Sequence, residues 1–318
     1  MPVVRVIKRL PTTPRRRAHR ERLYAPTRFI LVRPYRAPGR GTGSARQAGA
    51  QGPRPAVRPA DHEVPLSRQG GSGANAAFYL TPEEVFVIDA KMSAESAAGM
   101  LAEIKKVTAA PVTTLIITHS DGDHINGLPG FPKGLHILAH EKCRADIAAA
   151  AETQPELKDY IPNKAYDQPR LEIRAGGKSI VLAYFGPAHT SGDTVVFFPA
   201  DKAVFAGDLL FVGRDPLIHR HKNGRVAGYI KTLEAMLALT PLVETFLSGH
   251  AEPLGRTDVE ALHASMTGKQ AKVQALIAEG KSLEEIKKAF GVEDSPARPG
   301  GRRFLSLVET IYLELTGK

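Results

Sequence analysis

One stretch constrains this chain more than any other: "LIITHSDGDHING", Leu115 to Gly127. An apolar run with the look of a buried strand ends on two histidines and two aspartates within six positions, His119, Asp121, Asp123 and His124. Polar groups at such a strand end must be solvated, paired or bound to an ion, because burying them alone is costly. The same arrangement recurs downstream. His189 follows "VLAYFGPA", Asp208 follows "AVFAG" and His250 follows "TFLSG". Strand ends at one edge of a sheet converge in space, and loops there carry function on a rigid frame. Neutral imidazole and carboxylate are the donors that zinc and similar divalent ions take. Four such groups on a tight turn holding Gly122 can face one or two ions. Asp-x-Asp alone also reads as a turn or a helix cap. An EF-hand loop is excluded, since its glycine position and terminal glutamate are missing. A lone histidine in a loop is by default an ordinary polar residue, and His19, His62, His136, His140, His219, His221 and His263 keep that reading.

The elements around these residues alternate between strand and helix. "ANAAFYL" and "EVFVIDA" read as a hairpin, and Ser93 to Val107 as a helix capped by Ser93. "PVTTLIITH" and "LHILAH" are the next strands, followed by the helix "EKCRADIAAAAET". "LEIR", "KSIVLAYF", "DTVVFFP" and "AVFAGD" form a strand-rich stretch; a helix near Gly228 to Leu239 and the strand "TFLSGH" follow. The C-terminal part is helical, with Thr257–Glu260 and Ser282–Glu285 as capping boxes. Phe304, Leu307, Val308, Ile311, Tyr312 and Leu315 make one apolar stripe. This order predicts a layered α/β protein with helices outside sheets. The single cysteine, Cys143, excludes an intramolecular disulfide, and no apolar run approaches the roughly 18 residues of a membrane span.

The net charge of +10 belongs to one end of the chain. Residues 1 to 60 hold fourteen arginines, one lysine and a single acid, Glu21; residues 61 to 318 are left with 28 basic and 32 acidic groups. Residues 1–62 therefore read as a disordered Arg/Pro/Gly-rich tail, and residues 63–318 as one domain that includes the C-terminal helices 257–318. The tail has three readings: binding to nucleic acid or an anionic membrane, a transit-like segment, or a misplaced translation start. Nothing in it patterns with the domain, so no nucleic-acid partner is expected and deleting residues 1 to 60 is expected to leave folding unchanged. Its longest apolar run, Phe29 to Val32, is too short for a secretory core. With no secretory signal recognisable, the expected location is cytoplasmic. Oligomeric state stays open.

The quoted residues resemble the metallo-β-lactamase superfamily over about residues 70 to 255. The family pattern is His-x-His-x-Asp-His, then His, then Asp, then His; here it stands as "HSDGDH", "GPAHTSGD", "FAGD" and "SGH". The resemblance implies a four-layer αβ/βα sandwich with a dinuclear site at one edge of two sheets. By position, metal one would take His119, Asp121 and His189, and metal two Asp123, His124 and His250, with Asp208 bridging. Asp208 stands where one group of true β-lactamases has cysteine, which points to the glyoxalase II-like branch. Bound metal lowers the pKa of its water to about 7. The implied activity is thus hydrolysis of a small carbonyl substrate (ester, thioester, lactone or β-lactam), with Asp123 also orienting the nucleophile. Thr190 and Asp193, flanking His189, have two readings: they orient its ring or form an ordinary turn.

The departure is Asp121, where the pattern has a second histidine. Three carboxylates against two divalent ions leave a smaller formal charge than two would. Two zinc ions are expected, with iron or manganese as alternatives that suit the extra carboxylate. A diiron redox enzyme of the same fold and a non-catalytic metal-binding protein are the alternatives. On this reading Asp121→His restores the commoner site. The loop "FVGRDPLIHRHKNGRVAGYI" is expected to line the cleft, with Arg214, His219, Arg220 and His221 available to an anionic substrate or simply exposed.

Overall fold

The computed structural model describes the backbone of Phe29–Arg33 and Val64–Pro65 and, with side chains, residues 73–293 and 303–318. The described residues form two sheets. The first contains β1 (Phe29–Arg33), β2 (Val64–Pro65), β3 (Ala76–Leu80), β4 (Val85–Ile88), β5 (Val112–Ile116), β6 (His136–His140) and β7 (Lys164–Tyr166), in the order β2-β1-β3-β4-β5-β6-β7. The second contains β8 (Arg170–Ala175), β9 (Lys178–Ala183), β10 (Val195–Phe198), β11 (Ala203–Phe205) and β12 (Thr245–Leu247), in the order β12-β11-β10-β9-β8. β4 to β7 run parallel, as do β11 and β12; the hairpins β3–β4 and β8–β9–β10–β11 are antiparallel.

Side-chain alternation along the strands sorts the apolar residues into layers. From β3, Ala77 and Tyr79 face the second sheet, and from β4, Phe86 and Ile88 do the same, meeting Leu182, Val196, Phe198 and Phe205 in one buried cluster. Their sequence neighbours Phe78, Leu80, Val85 and Val87 point the other way, onto Met100 and Ile104 of α1 (Ala94–Val107). After the short α2 (Gly122–Ile125), α3 (Glu141–Ala151) adds Cys143 and Ile147 to that outer cluster. On the far side, Val195, Phe197 and Val204 pack under α4 (Val226–Leu237) and α5 (Arg256–Ala278), through Tyr229, Leu233, Met266 and Val273. The result is helix, sheet, sheet, helix. Each fully buried aliphatic or aromatic side chain in these layers contributes roughly 1.5–3 kcal/mol, so truncating Ile104 or Leu233 to alanine costs about 2–5 kcal/mol.

The C-terminal helices α6 (Leu283–Ala289) and α7 (Leu307–Thr316) complete the layer outside the second sheet. Of the apolar stripe, Leu307, Val308 and Ile311 are buried, whereas Leu315 is exposed. Ser282 and Glu285 form the expected capping box, and Ser306 with Glu309 forms another. The Thr257 box does not form. α5 starts at Arg256 behind Gly255, whose N–H donates to Asp258 at 2.8 Å, so Thr257 already lies inside the first turn. Within the segment expected to be tail, Phe29–Arg33 pairs antiparallel with β3 and parallel with Val64–Pro65. Four consecutive apolar residues of high strand propensity in "FILVR" carry that pairing. Deleting residues 1 to 60 therefore removes a strand from the sheet. The rest of the expected tail lies outside the described residues.

Candidate metal centre

The cluster sits where β5 ends. β4 and β5 are parallel neighbours, so Asp89, one residue past β4, meets Thr118, two past β5. The buried Asp89 carboxylate accepts from the Thr118 N–H at 2.8 Å, the Thr118 hydroxyl at 2.8 Å and His124 Nδ1 at 2.7 Å. With its proton committed to Asp89, the Thr118 hydroxyl accepts from His119 Nδ1 at 3.0 Å. One carboxylate thus fixes both rings with Nε2 turned inward, which is how carboxylates orient ligand histidines elsewhere. Asp89 holds φ of 64° and Lys91 φ of 71°, a costly region for residues other than glycine. The Lys91 ammonium is buried against the Ala74 carbonyl; burial pulls its pKa down to about 8 against the pull of Asp123 and Asp89.

The other three segments arrive from the second sheet. His189 Nδ1 donates to the Leu217 carbonyl at 2.6 Å, which leaves Nε2 facing Asp121. Thr190 and Asp193 do not orient this ring. Asp193 accepts from the Ala188 and Thr190 N–H groups and from the Thr190 hydroxyl, so the pair braces the turn instead. Asp208 follows β11 and His250 follows β12. Between those strand ends, a Cβ on Gly249 would lie 2.4 Å from Asp208 Oδ1 and 2.8 Å from His124 Cε1, so the close approach requires glycine.

All seven expected residues converge. His119, Asp121, His189 and Asp208 offer donor atoms within 4.8 Å of one another, and Asp123, His124 and His250 form a second such group. Asp208 lies between them. Its Oδ1 is 3.1 Å from His124 Nε2, and its Oδ2 is 3.1 Å from His250 Nε2, 3.8 Å from His189 Nε2 and 3.9 Å from His119 Nε2. His119 Nε2, His124 Nε2 and Asp208 Oδ1 are buried without a hydrogen-bond partner. Such orphaned atoms are rare in proteins, and a divalent ion satisfies donors of this kind. Charge points the same way. Burial lowers the His189 ring, but the hydrogen bond and charge of Asp121 bring it up to about 9. Burial opposes His250 too, and Asp123 and Asp208 bring it to about 9. Burial pushes the Asp123 and Asp208 carboxyls up, yet the imidazoles around them hold both below the ordinary carboxylate range. The carboxylates of the centre are thus ionised and hold protons on neighbouring imidazoles in the ion-free protein, where a divalent cation would take the protons' place.

Asp121 sits in a different company from the one its motif position suggests. Its Oδ2 takes His189 Nε2 at 3.0 Å and His219 Nε2 at 2.8 Å. Its Oδ1 takes the Lys222 ammonium at 2.7 Å, which also bonds to the Ser120 carbonyl at 2.9 Å. A carboxylate paired with an ammonium is net neutral, as a histidine is, so the charge deficit expected from Asp121 is cancelled locally. His219, read in sequence as an ordinary loop residue, is buried. The long loop after Asp208 flanks both groups: Phe211 stacks on His250 with ring centroids 5.7 Å apart, and its other end delivers His219 and Lys222. Arg220 donates to the Lys318 carbonyl at 2.5 Å, and Arg214 lies 4.6 Å over the Phe211 ring. Beside Phe211 is a groove of about 390 Å³ lined by Arg214, Asp215, Leu262, Ser265 and Lys269.

Residues 69–250 match the family model described as the metallo-beta-lactamase superfamily, a span that holds the seven candidate donors with His219 and Lys222. The chain belongs to that superfamily. Among curated proteins it is 29% identical over 152 residues to the 2,4-dinitroanisole O-demethylase subunit alpha of Nocardioides sp. (strain JS1661), covering 48% of this chain and 44% of that protein. It is 25% identical over 187 residues to the metallo-beta-lactamase type 2 of Elizabethkingia meningoseptica, covering 59% of this chain and 72% of that one. Among solved structures, a metallo-beta-lactamase from Pontibacter korlensis shares the fold with a TM-score of 0.53 at 17% identity, over 63% of this chain and 90% of that one. A double mutant of the sec-alkyl sulfatase PisA1 does so with a TM-score of 0.57 at 15% identity, over 77% of this chain and 48% of that one. Superfamily membership fits the two donor groups and the α/β sandwich alike. Among the described residues no helix is long and apolar enough to cross a membrane.

Proposed function

We propose that this superfamily member is a metal-dependent hydrolase acting on a small carbonyl substrate, an ester, thioester, lactone or β-lactam. The observation that carries the reading is the buried Asp208 carboxylate set between two groups of imidazole and carboxylate donors, with three buried donor atoms left unpartnered. His119, Asp121 and His189 would hold one ion, Asp123, His124 and His250 a second, and Asp208 both. Zinc suits this donor set, and the three carboxylates also admit iron or manganese. When bound, such ions supply Lewis acidity and a water acidic enough to act at neutral pH.

The chain's own residues do the rest. Asp89 and Thr118 hold two imidazoles in one tautomer, so the donor nitrogens are set before any ion arrives. The Asp123 and His250 side chains form the open side of the centre, each about one-fifth exposed, which supports access of water and substrate from that side. Asp123 is the residue we assign to orienting the nucleophile and holding its proton. Phe211 and Arg214 line the adjoining groove and suit a substrate with an apolar body and an anionic group. Asp208 in place of cysteine favours the glyoxalase II-like branch. The likeness to the demethylase subunit adds an activated aryl methyl ether to the substrates worth testing.

The test is a panel of carbonyl esters, thioesters, lactones, β-lactams and an activated aryl methyl ether against zinc-, iron- and manganese-loaded protein. Turnover of one class that is lost in Asp208→Ala and His124→Ala supports the reading. A metal-loaded protein inactive on every class overturns the assignment to carbonyl hydrolysis.

A further inference from the structure

The imidazole that Asp121 displaces from the family pattern has a counterpart elsewhere in the chain. Two backbone stretches, 187–189 and 217–225, lie zipped together. The His219 N–H donates to the His189 carbonyl at 2.8 Å, and the Arg225 N–H donates to the Ala188 carbonyl at 2.8 Å. The His189 ring returns a bond to the Leu217 carbonyl at 2.6 Å. Gly224 lets the second stretch lie this close, since a Cβ there would stand 2.4 Å from the His189 carbonyl oxygen. The Gly224 N–H then closes the turn on the His219 carbonyl at 3.0 Å.

This zipper sets the His189 and His219 rings side by side, their centroids 4.8 Å apart. Both direct Nε2 at one atom, Asp121 Oδ2, at 3.0 Å and 2.8 Å. His119 Nε2 stands 3.8 Å from the same oxygen. Donors sharing one zinc ion at bonds of about 2.0–2.2 Å stand roughly 3–3.5 Å apart around it; the two imidazole nitrogens now at hydrogen-bond distance from Oδ2 need only small shifts to reach that spacing. Phe304 packs on the His219 ring with centroids 5.7 Å apart, and only 7% of the residue is exposed. The second oxygen of Asp121 is turned away to Lys222.

We infer that His219 is a ligand of the ion held by His119 and His189, so that this position keeps three imidazoles although its motif has lost one. Asp121 then serves as a further donor through Oδ2, its charge balanced by Lys222. The inference rests on the metal-centre reading above and goes beyond it, because position 219 lies outside the family pattern. The rival role for His219 is that of a positioning residue that only donates a hydrogen bond to Asp121.

Zinc X-ray absorption on the full-length His250→Ala variant, loaded with one zinc equivalent, separates the two. His250→Ala weakens the second group and leaves the first intact. The expected spectrum has three imidazoles around zinc, falling to two when His219→Ala is added. His219→Gln keeps a hydrogen-bond donor near Asp121 and removes the imidazole, so it too is expected to give two, and it serves if the alanine variant does not fold. Bound zinc with two imidazoles, unchanged by either His219 substitution, would overturn this inference alone. Failure of the unsubstituted protein to bind any ion would overturn the metal-centre reading as well.

Discussion

The two donor groups meet at Asp208 but are built on different plans. Asp123, His124 and His250 hold the positions the family pattern gives them, with partial solvent access at Asp123 and His250. The group around His119 and His189 is more enclosed, and its Asp121 is enmeshed with His219 and Lys222 from a loop about a hundred residues away. Both groups satisfy the same electrostatic demand, one with the expected residues and the other with a rearranged set. A substitution inside a metal motif therefore has to be read together with whatever the fold brings against it.

The largest effect that bears on this comparison belongs to the residue that lies between the groups. Asp208→Ala is expected to lower occupancy of both positions and to reduce hydrolysis by on the order of 10³-fold, the scale of several kcal/mol of lost electrostatic stabilisation. Metal analysis beside steady-state rates checks it. Loss of one ion only would show that Asp208 serves one group.

Asp89→Ala acts on both groups from outside. It frees the His124 ring and removes the hydroxyl's anchor behind His119, so metal affinity is expected to fall about 10–100-fold. Competition with a chelating dye measures it. The two affinities should fall together; a fall at one position alone would separate the groups.

Asp121→His bears on one group. Sequence alone presents it as a repair. The structure predicts the opposite, because imidazole removes the carboxylate that Lys222 needs and crowds His219. Weaker zinc binding at the first position is expected, with the second unchanged, in a calorimetric titration. Tighter binding would mean that Lys222 and His219 do not compensate for Asp121.

These contrasts show what was legible in sequence and what was not. The layer order, the gathering of seven candidate donors and the family followed from local signals: apolar alternation, strand-end polarity and spacing. Asp89 carries no sequence signal of its own, since its task is to bond Thr118 and His124 across a parallel pairing that the sequence does not display. The partner of the His189 ring is a backbone carbonyl and leaves no side-chain trace. His219 and Lys222 look like a basic surface run because their partner, Asp121, is distant along the chain. Phe29 to Val32 is too short for a secretory core, but its strand propensity inside an Arg/Pro-rich segment is the signal of β1.

A smaller effect concerns pH in the ion-free protein. His189, in the first group, and His250, in the second, have folded pKa values raised from 6.5 to about 9. Each therefore contributes stability that is fully present below about pH 6.5 and is lost as pH rises through 9. Chelated protein should melt at progressively lower temperature across that window. Metal-loaded protein should not follow, since its ligands bind as deprotonated imidazoles. Parallel melting curves for the two forms would show that these rings do not face the bound ions.

The most direct test of the two-group account is elemental analysis of the full-length protein after metal-replete purification, beside His250→Ala and Asp121→Ala. About two transition-metal equivalents are expected in the unsubstituted protein, zinc foremost, and close to one in each variant. A folded full-length protein that carries no metal under those conditions would contradict it.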